Sequence, residues 1–148
     1  MKKILNEDIK KNLFQRIFNI TPKLKVKINR KNIICYKLFE ETEIPGIIKS
    51  TSNNLYLINI PQKERTICIW SRDNYGVNIK GGYSSFISLP SLYRFIQHKK
   101  ITNYSIYECI IPKNSEFLVC NTLFSQDTYI SNHLKIIKKV GVCGDLKH

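Results

Sequence analysis

"KLKVKINRKNIICYKL", residues 23–38, is written in period two on both sides of a polar break. Leu24, Val26 and Ile28 alternate with Lys23, Lys25 and Lys27. A strand sends successive side chains to opposite faces, so the first half predicts one apolar face and one face lined with ammonium groups. "NRKN" has the composition of a tight turn, and "IICYKL" returns as a second strand. With Arg30 and Lys31 at the tip, Ile28 is expected opposite Ile33, Val26 opposite Cys35, and Lys25 opposite Tyr36. This hairpin would set an aromatic ring among the lysines.

Upstream, Asn6-Glu7-Asp8 can cap a helix and place acids in its first turn. Ile9, Leu13, Ile17 and Ile20, with Phe14 and Phe18, keep helical spacing until Thr21-Pro22, leaving Lys10, Lys11 and Arg16 on the polar side. Downstream, "FEETEIPG" reads as an acidic turn and "KSTSNN" as a polar break before a strand near residues 55–60. "RTICIWS", "VNIK", "YSIYECIIP", "EFLVC" and "NHLKIIKKV" read as further strands, and "GGYSSF" as a loop. Ser88 is placed to cap a short helix through "LPSLYRFIQHKK", with Pro90 in its first turn and Leu89, Leu92, Tyr93 and Ile96 inward. The pattern predicts an α+β protein: a largely antiparallel sheet of about six to seven strands, an N-terminal helix and one short central helix. One domain over residues 1–148 is expected, with a basic helix and hairpin (1–38) leading into an α+β body (39–148).

Charge is the strongest compositional signal, with 24 Lys+Arg against 11 Asp+Glu and a formal net charge of +13. Residues 1–32 hold ten basic and two acidic side chains, so the excess is concentrated in the first fifth of the chain. A lysine-, asparagine- and isoleucine-rich composition also follows from an AT-rich genome, which explains the total better than the asymmetry. Ammoniums two apart on a strand stand roughly 7 Å from each other and repel by only about 0.6 kcal/mol in water, so a solvated lysine face is tolerable by itself. A concentrated positive surface nonetheless attracts polyanions. The five cysteines are odd in number and widely spaced, and four lie in apolar runs, which points to core-filling thiols with Cys143 the most exposed. No apolar run approaches the roughly 20 residues of a membrane span, and Glu7, Asp8, Lys10 and Lys11 interrupt what would be a signal-peptide core.

The runs "GGYSSFISLPSLYRFI", "YECIIPKNSEFLVC" and "YISNHLKIIKKV" resemble a short uncharacterised α+β domain of tailed-phage and prophage proteins. Tyr83, Ser85, Phe86, Cys109, Ile111, Pro112, Lys113 and Ser131 carry the resemblance, over about residues 81–140. Asn114 replaces the family's usual glycine, and Asn tolerates a left-handed turn. The resemblance implies a phage or mobile-element origin and brings no catalytic residues.

Chemistry-bearing patterns are sparse. His98, His133 and His148 are far apart with no metal-ligand spacing, and no cofactor or metal is expected. A Cys109–His133 nucleophile pair is open to test, as is a transferase reading in which "KSTSNN" is compared with the Ser-Thr-Ser strand of ADP-ribosyltransferases and Glu108 or Glu116 supplies the glutamate. Tyr36, Trp70, Tyr75, Tyr83 and Tyr93 lie beside basic residues and could stack on unpaired bases or pack across strands. The expectation that follows is a non-enzymatic basic protein of the bacterial-host cytoplasm, engaging nucleic acid (RNA favoured) or a host ribonucleoprotein. Its contact residues are expected to be Lys10, Lys11, Arg16, Lys23, Lys25, Lys27, Arg30, Lys31 and Tyr36. An anti-CRISPR-type inhibitor of an RNA-guided defence, acting through guide RNA or the effector's RNA channel, is the sharpest form of this reading. The alternatives are the transferase, acting on a host protein, and a protein-only interaction module.

Overall fold

The computed structural model describes residues 26–71, 77–120 and 128–143. The eleven strands are β1 (Lys27–Ile28), β2 (Ile33–Glu41), β3 (Ile47–Ser50), β4 (Leu55–Leu57), β5 (Ile67–Ser71), β6 (Val77–Gly81), β7 (Tyr83–Phe86), β8 (Ser105–Ile111), β9 (Glu116–Cys120), β10 (Thr128–Ser131) and β11 (Lys135–Val142). One helix, α1 (Leu89–Lys99), lies between β7 and β8. The described residues are therefore mostly β, with nine strands in a single antiparallel sheet and β5–β6 as a separate ribbon, and the expected α+β class is corrected. The N-terminal helix proposed from the sequence lies outside the described residues.

Over residues 26–38, the described part of the expected hairpin, the two arms do not pair with each other. Lys27 and Ile28 pair with Phe117 and Glu116 of β9. Ile33 of β2 pairs instead with Ile111, and the register runs through Cys35↔Cys109 to Phe39↔Ser105. Ile28, placed on an apolar face by the alternation, is 62% exposed. Period two fixes which side chains share a face, and leaves the choice of neighbouring strand to long-range packing.

β2 organises the sheet. One edge pairs with β8 along seven residues, while the other is divided between β7, at Tyr36↔Phe86, and β3, from Phe39↔Ser50 to Glu41↔Ile48. Its alternation feeds two cores. Cys35 and Phe39 face an interior with Ile48, Tyr56, Tyr83, Tyr107, Cys109, Ile111, Leu134 and Ile136. Phe39 makes edge-to-face contacts there with Tyr56 (5.1 Å) and Tyr107 (5.6 Å). Leu38 and Tyr36 face the other way, against Leu92 and Ile96 of α1.

Residues 58–65 connect the β4 side of the sheet to the start of β11. The backbone amides of Asn59, Gln62 and Arg65 donate to the carbonyls of Ile136, Leu134 and Asn132. β2, β3, β4, this segment, β11 and β8 thus surround the interior core.

The helix follows its sequence signals. Ser88 Oγ accepts from the Ser91 amide at 3.3 Å, Pro90 sits in the first turn, and Leu92 and Ile96 are buried. "GGYSSF", expected as a loop, instead contains β7, paired with β10 from Phe86↔Thr128 to Tyr83↔Ser131. Gly81 and Gly82 have positive φ, and a Cβ on Gly81 would stand 2.0 Å from the Thr66 carbonyl oxygen, so the turn into β7 requires glycine there. Cys143, expected to be exposed, is 1% exposed.

Asn29 is buried and joins two distant turns. Its Nδ2 donates to the carbonyls of Lys31 (2.8 Å), Ile111 (3.2 Å) and Pro112 (2.9 Å), and its Oδ1 accepts from the Ser115 amide (2.8 Å). Replacing Asn29 by Ala removes all four bonds, two of them buried, to the Ile111 carbonyl and from the Ser115 amide, while the Pro112 carbonyl keeps the Ser115 hydroxyl. We expect Asn29→Ala to lower unfolding stability by about 2–3 kcal/mol, read as a reduced urea midpoint at unchanged slope.

Candidate nucleic-acid interface

Residues 29–32 and 112–115 are held together by more than the Asn29 side chain. The Asn29 amide donates to the Ser115 carbonyl (3.2 Å), the Asn114 amide to the Asn29 carbonyl (2.7 Å), and the Lys113 amide to Asn32 Oδ1 (2.9 Å). Asn114 takes φ 67°, the left-handed turn that its residue type allows. Arg30, Lys31 and Lys113 are exposed on these two turns, and Lys27 is exposed on the adjoining β1. None of the four forms an ion pair with a carboxylate among the described residues. Carboxylates elsewhere are engaged: Glu40 with Lys49 (3.5 Å), Glu41 with Lys139 (2.5 Å) and Glu64 with His133 (3.8 Å). The result is one cationic end whose backbone is fixed by hydrogen bonds.

Of the nine contact residues proposed from the sequence, Lys27, Arg30 and Lys31 are brought to this end. Tyr36 is not: it is half-buried on the α1 side, opposite Glu108 and Phe86. Lys10, Lys11, Arg16, Lys23 and Lys25 lie outside the described residues. Lys113 was missed because it is remote in sequence. The polar "PKNS" turn was a local signal, but only the Asn29 clamp shows where it goes.

The aromatic and catalytic candidates are placed differently. Tyr83 is 3% exposed, its hydroxyl donates to the Lys63 carbonyl, and its ring carries the Arg65 guanidinium 4.3 Å from its centroid. Tyr93 is half-buried in the α1 cluster. Tyr75 and the side chain of Trp70 lie outside what is described. Ser50 and Ser52 bond to each other (3.0 Å) in the β3–β4 turn, while β8 and β9, which carry Glu108 and Glu116, do not border that hairpin. Cys109 is fully buried, its thiol points to the Tyr107 carbonyl (3.7 Å), and burial holds its pKa well above the ordinary value. His133 contacts Asn132 and Glu64 instead. A thiol so held is a poor nucleophile. Among the described residues no three His, Cys, Asp or Glu side chains gather in a way that could hold a metal.

One lysine breaks the pattern of exposure. Lys37 is half-buried on the interior face of β2, and its Nζ donates to the Ser84 carbonyl (2.7 Å) and Ser84 Oγ (3.2 Å). Desolvation by burial lowers its pKa from 10.5 to about 8.

Comparison with family models, curated proteins and solved structures gives no match for this chain. Among the described residues, no helix is long and apolar enough to cross a membrane.

The unfolded chain keeps a proton on Lys37 up to about pH 10.5, whereas the folded chain loses it near pH 8. Stability contributed through Lys37 is therefore lowest below pH 8 and rises with pH across that window. We expect Lys37→Met to be more stable than the parent at pH 7 by about 1–3 kcal/mol. The gain should shrink by pH 10, measured as the difference between paired urea titrations so that the thiols' opposite contribution cancels.

Proposed function

We propose that the protein binds single-stranded nucleic acid, RNA by preference, either free or within a ribonucleoprotein, through the cationic end formed by the 29–32 and 112–115 turns. The observation that carries this is the presence of Lys27, Arg30, Lys31 and Lys113 on one clamped scaffold, without ion-pair partners among the described residues. Unpaired cations fixed in place suit a phosphate backbone, because neutralising phosphates releases condensed counterions and little side-chain order must be created by the scaffold. Ile28 (62%) and Ile34 (55%) expose aliphatic surface on the same stretch of chain. Apolar groups beside cations favour a partner that offers bases or protein surface along with phosphate.

Residues 1–25, outside the described residues, carry seven further basic side chains. The likeness of residues 81–140 to a phage-borne domain supports a mobile-element origin, and with it a role by occlusion in the cytoplasm of a bacterial host. Inhibition of an RNA-guided defence is the finer form of that role.

The test is a salt series with short single-stranded RNA. Four phosphate contacts predict a slope of log affinity against log salt of about −3. The triple variant R30E/K31E/K113E should bind about 100-fold or more weakly at 100 mM salt, with a much flatter slope. All three side chains are exposed, so the urea midpoint should not move. Binding unchanged by the triple reversal, or independent of salt, overturns the proposal. Affinity purification from a bacterial host, with and without nuclease, distinguishes free RNA from a ribonucleoprotein.

A further inference from the structure

Cys35 and Cys109 stand directly opposite each other within the seven-residue pairing of β2 with β8. Opposed residues of an antiparallel pair project from the same face of the sheet, and both cysteines belong to the interior core. Such residues have Cα atoms about 4.5 or 5.5 Å apart, according to which of the two alternating pair types they form. A disulfide spans Cα separations of about 4.4–6.8 Å, so either pair type lies within its reach without a shift of the backbone. Both thiols are free, and the Cys109 sulfur turns toward the Tyr107 carbonyl at 3.7 Å. Bonding therefore requires rotation of side chains about χ1 rather than a new strand arrangement. The other cysteines lack this placement: Cys68 faces Lys80 on β6, Cys120 faces Thr128 on β10, and Cys143 packs in the separate core against α1.

In the closed sheet the pair is out of reach. Each thiol is 0% exposed, and burial raises the pKa of Cys35 to about 11 and that of Cys109 well above its usual value. Thiolate, the form that attacks a disulfide, is scarce and shielded while β2 and β8 stay paired. We propose that Cys35 and Cys109 form a redox latch that takes a disulfide from a small-molecule disulfide of the glutathione type when β2 and β8 separate. One protein thiolate attacks a sulfur of the oxidant, breaking its S–S bond, forming a mixed disulfide and releasing one small thiolate. The second protein thiolate attacks the protein sulfur of that intermediate, forming the Cys35–Cys109 bond and releasing the second small thiolate. Two protein thiols are oxidised, one disulfide is reduced, and the two thiol protons pass to the released thiolates. The new bond joins positions far apart in the chain, so it constrains the unfolded ensemble and holds β2 in register with β8.

The test uses the full chain, unfolded in urea and refolded in mixtures of reduced and oxidised glutathione. Free thiols are then alkylated, and the bonds are located by peptide mass spectrometry without reduction. Cys35–Cys109 should be the dominant internal disulfide, at about tenfold or more the level of any other pair. Another pair at a comparable level, or no internal disulfide in the most oxidising mixture, overturns the proposal. Gating is read on chain that starts folded: the bond should form about tenfold or more slowly without urea than at the urea midpoint, and a smaller difference refutes the gate. The linked chain should unfold at a urea concentration about 1 M above that of the reduced chain, and dithiothreitol should reverse the gain. An unchanged or lowered midpoint refutes the fastening role.

Discussion

β2 must satisfy three neighbours at once, and most of the architecture follows from how it does so. Its pairing with β8 uses seven consecutive residues, which fixes the register of the longest antiparallel contact between Ile33 and Phe39. A slip of one residue would turn Cys35 and Phe39 toward α1 and Leu38 toward the interior, exchanging the two cores. The opposite edge is shared, so β7 and β3 leave β2 in different directions. That divergence lets β3 and β4 curl toward β11, and it opens the fork that Lys37 occupies. Upstream of β2, the chain turns sharply at residues 29–32, and Asn29 ties that turn to the β8–β9 connection. The cationic end and the lysine fork are therefore two consequences of one strand's position.

The elements legible in the sequence were those whose signals are local. α1 was marked by a serine cap, a first-turn proline and a 3.6-residue apolar spacing, and the structure uses all three. β5, β6, β8, β9 and β11 were marked by apolar β-branched runs between polar breaks. β7 was not, because Ser84 and Ser85 carry little strand propensity and the strand exists only through β10 and its single contact with β2. Strand partnership was the larger gap. Nothing in "KLKVKINRKNIICYKL" distinguishes a local hairpin from two strands that each find a partner some 80 residues away, as Ile28 does in Glu116 and Ile33 in Ile111. The candidate site shows the same division. Arg30 and Lys31 were legible as an exposed turn, whereas Lys113 joins them only through bonds between residues far apart in the chain.

Charge asymmetry acquires a structural meaning from where the carboxylates go. Glu40, Glu41 and Glu64 each meet a basic side chain on the body of the protein. These exposed pairs add little stability, typically below 1 kcal/mol. Their effect on the field is larger, since each cancels a positive charge away from the turns. Lys27, Arg30, Lys31 and Lys113 have no such ion-pair partner among the described residues, so solvent and salt do more of the screening there. A high net charge thus becomes a localised one through the placement of its minority sign.

The same residue type has two chemical characters in this fold, and solvation separates them. At Lys113 the side chain is in water, where an ammonium acts as a point charge and hydrogen-bond donor. At Lys37 the same group has lost part of its hydration to the interior and gained two oxygen acceptors on Ser84, a neutral residue that cannot restore the lost Coulomb stabilisation. The ammonium is disfavoured as a result, and burial lowers the pKa to about 8. A carboxylate at the fork would reverse this by stabilising the ammonium, so the lack of one among the described residues is what makes Lys37 chemically distinct from the lysines of the cationic end.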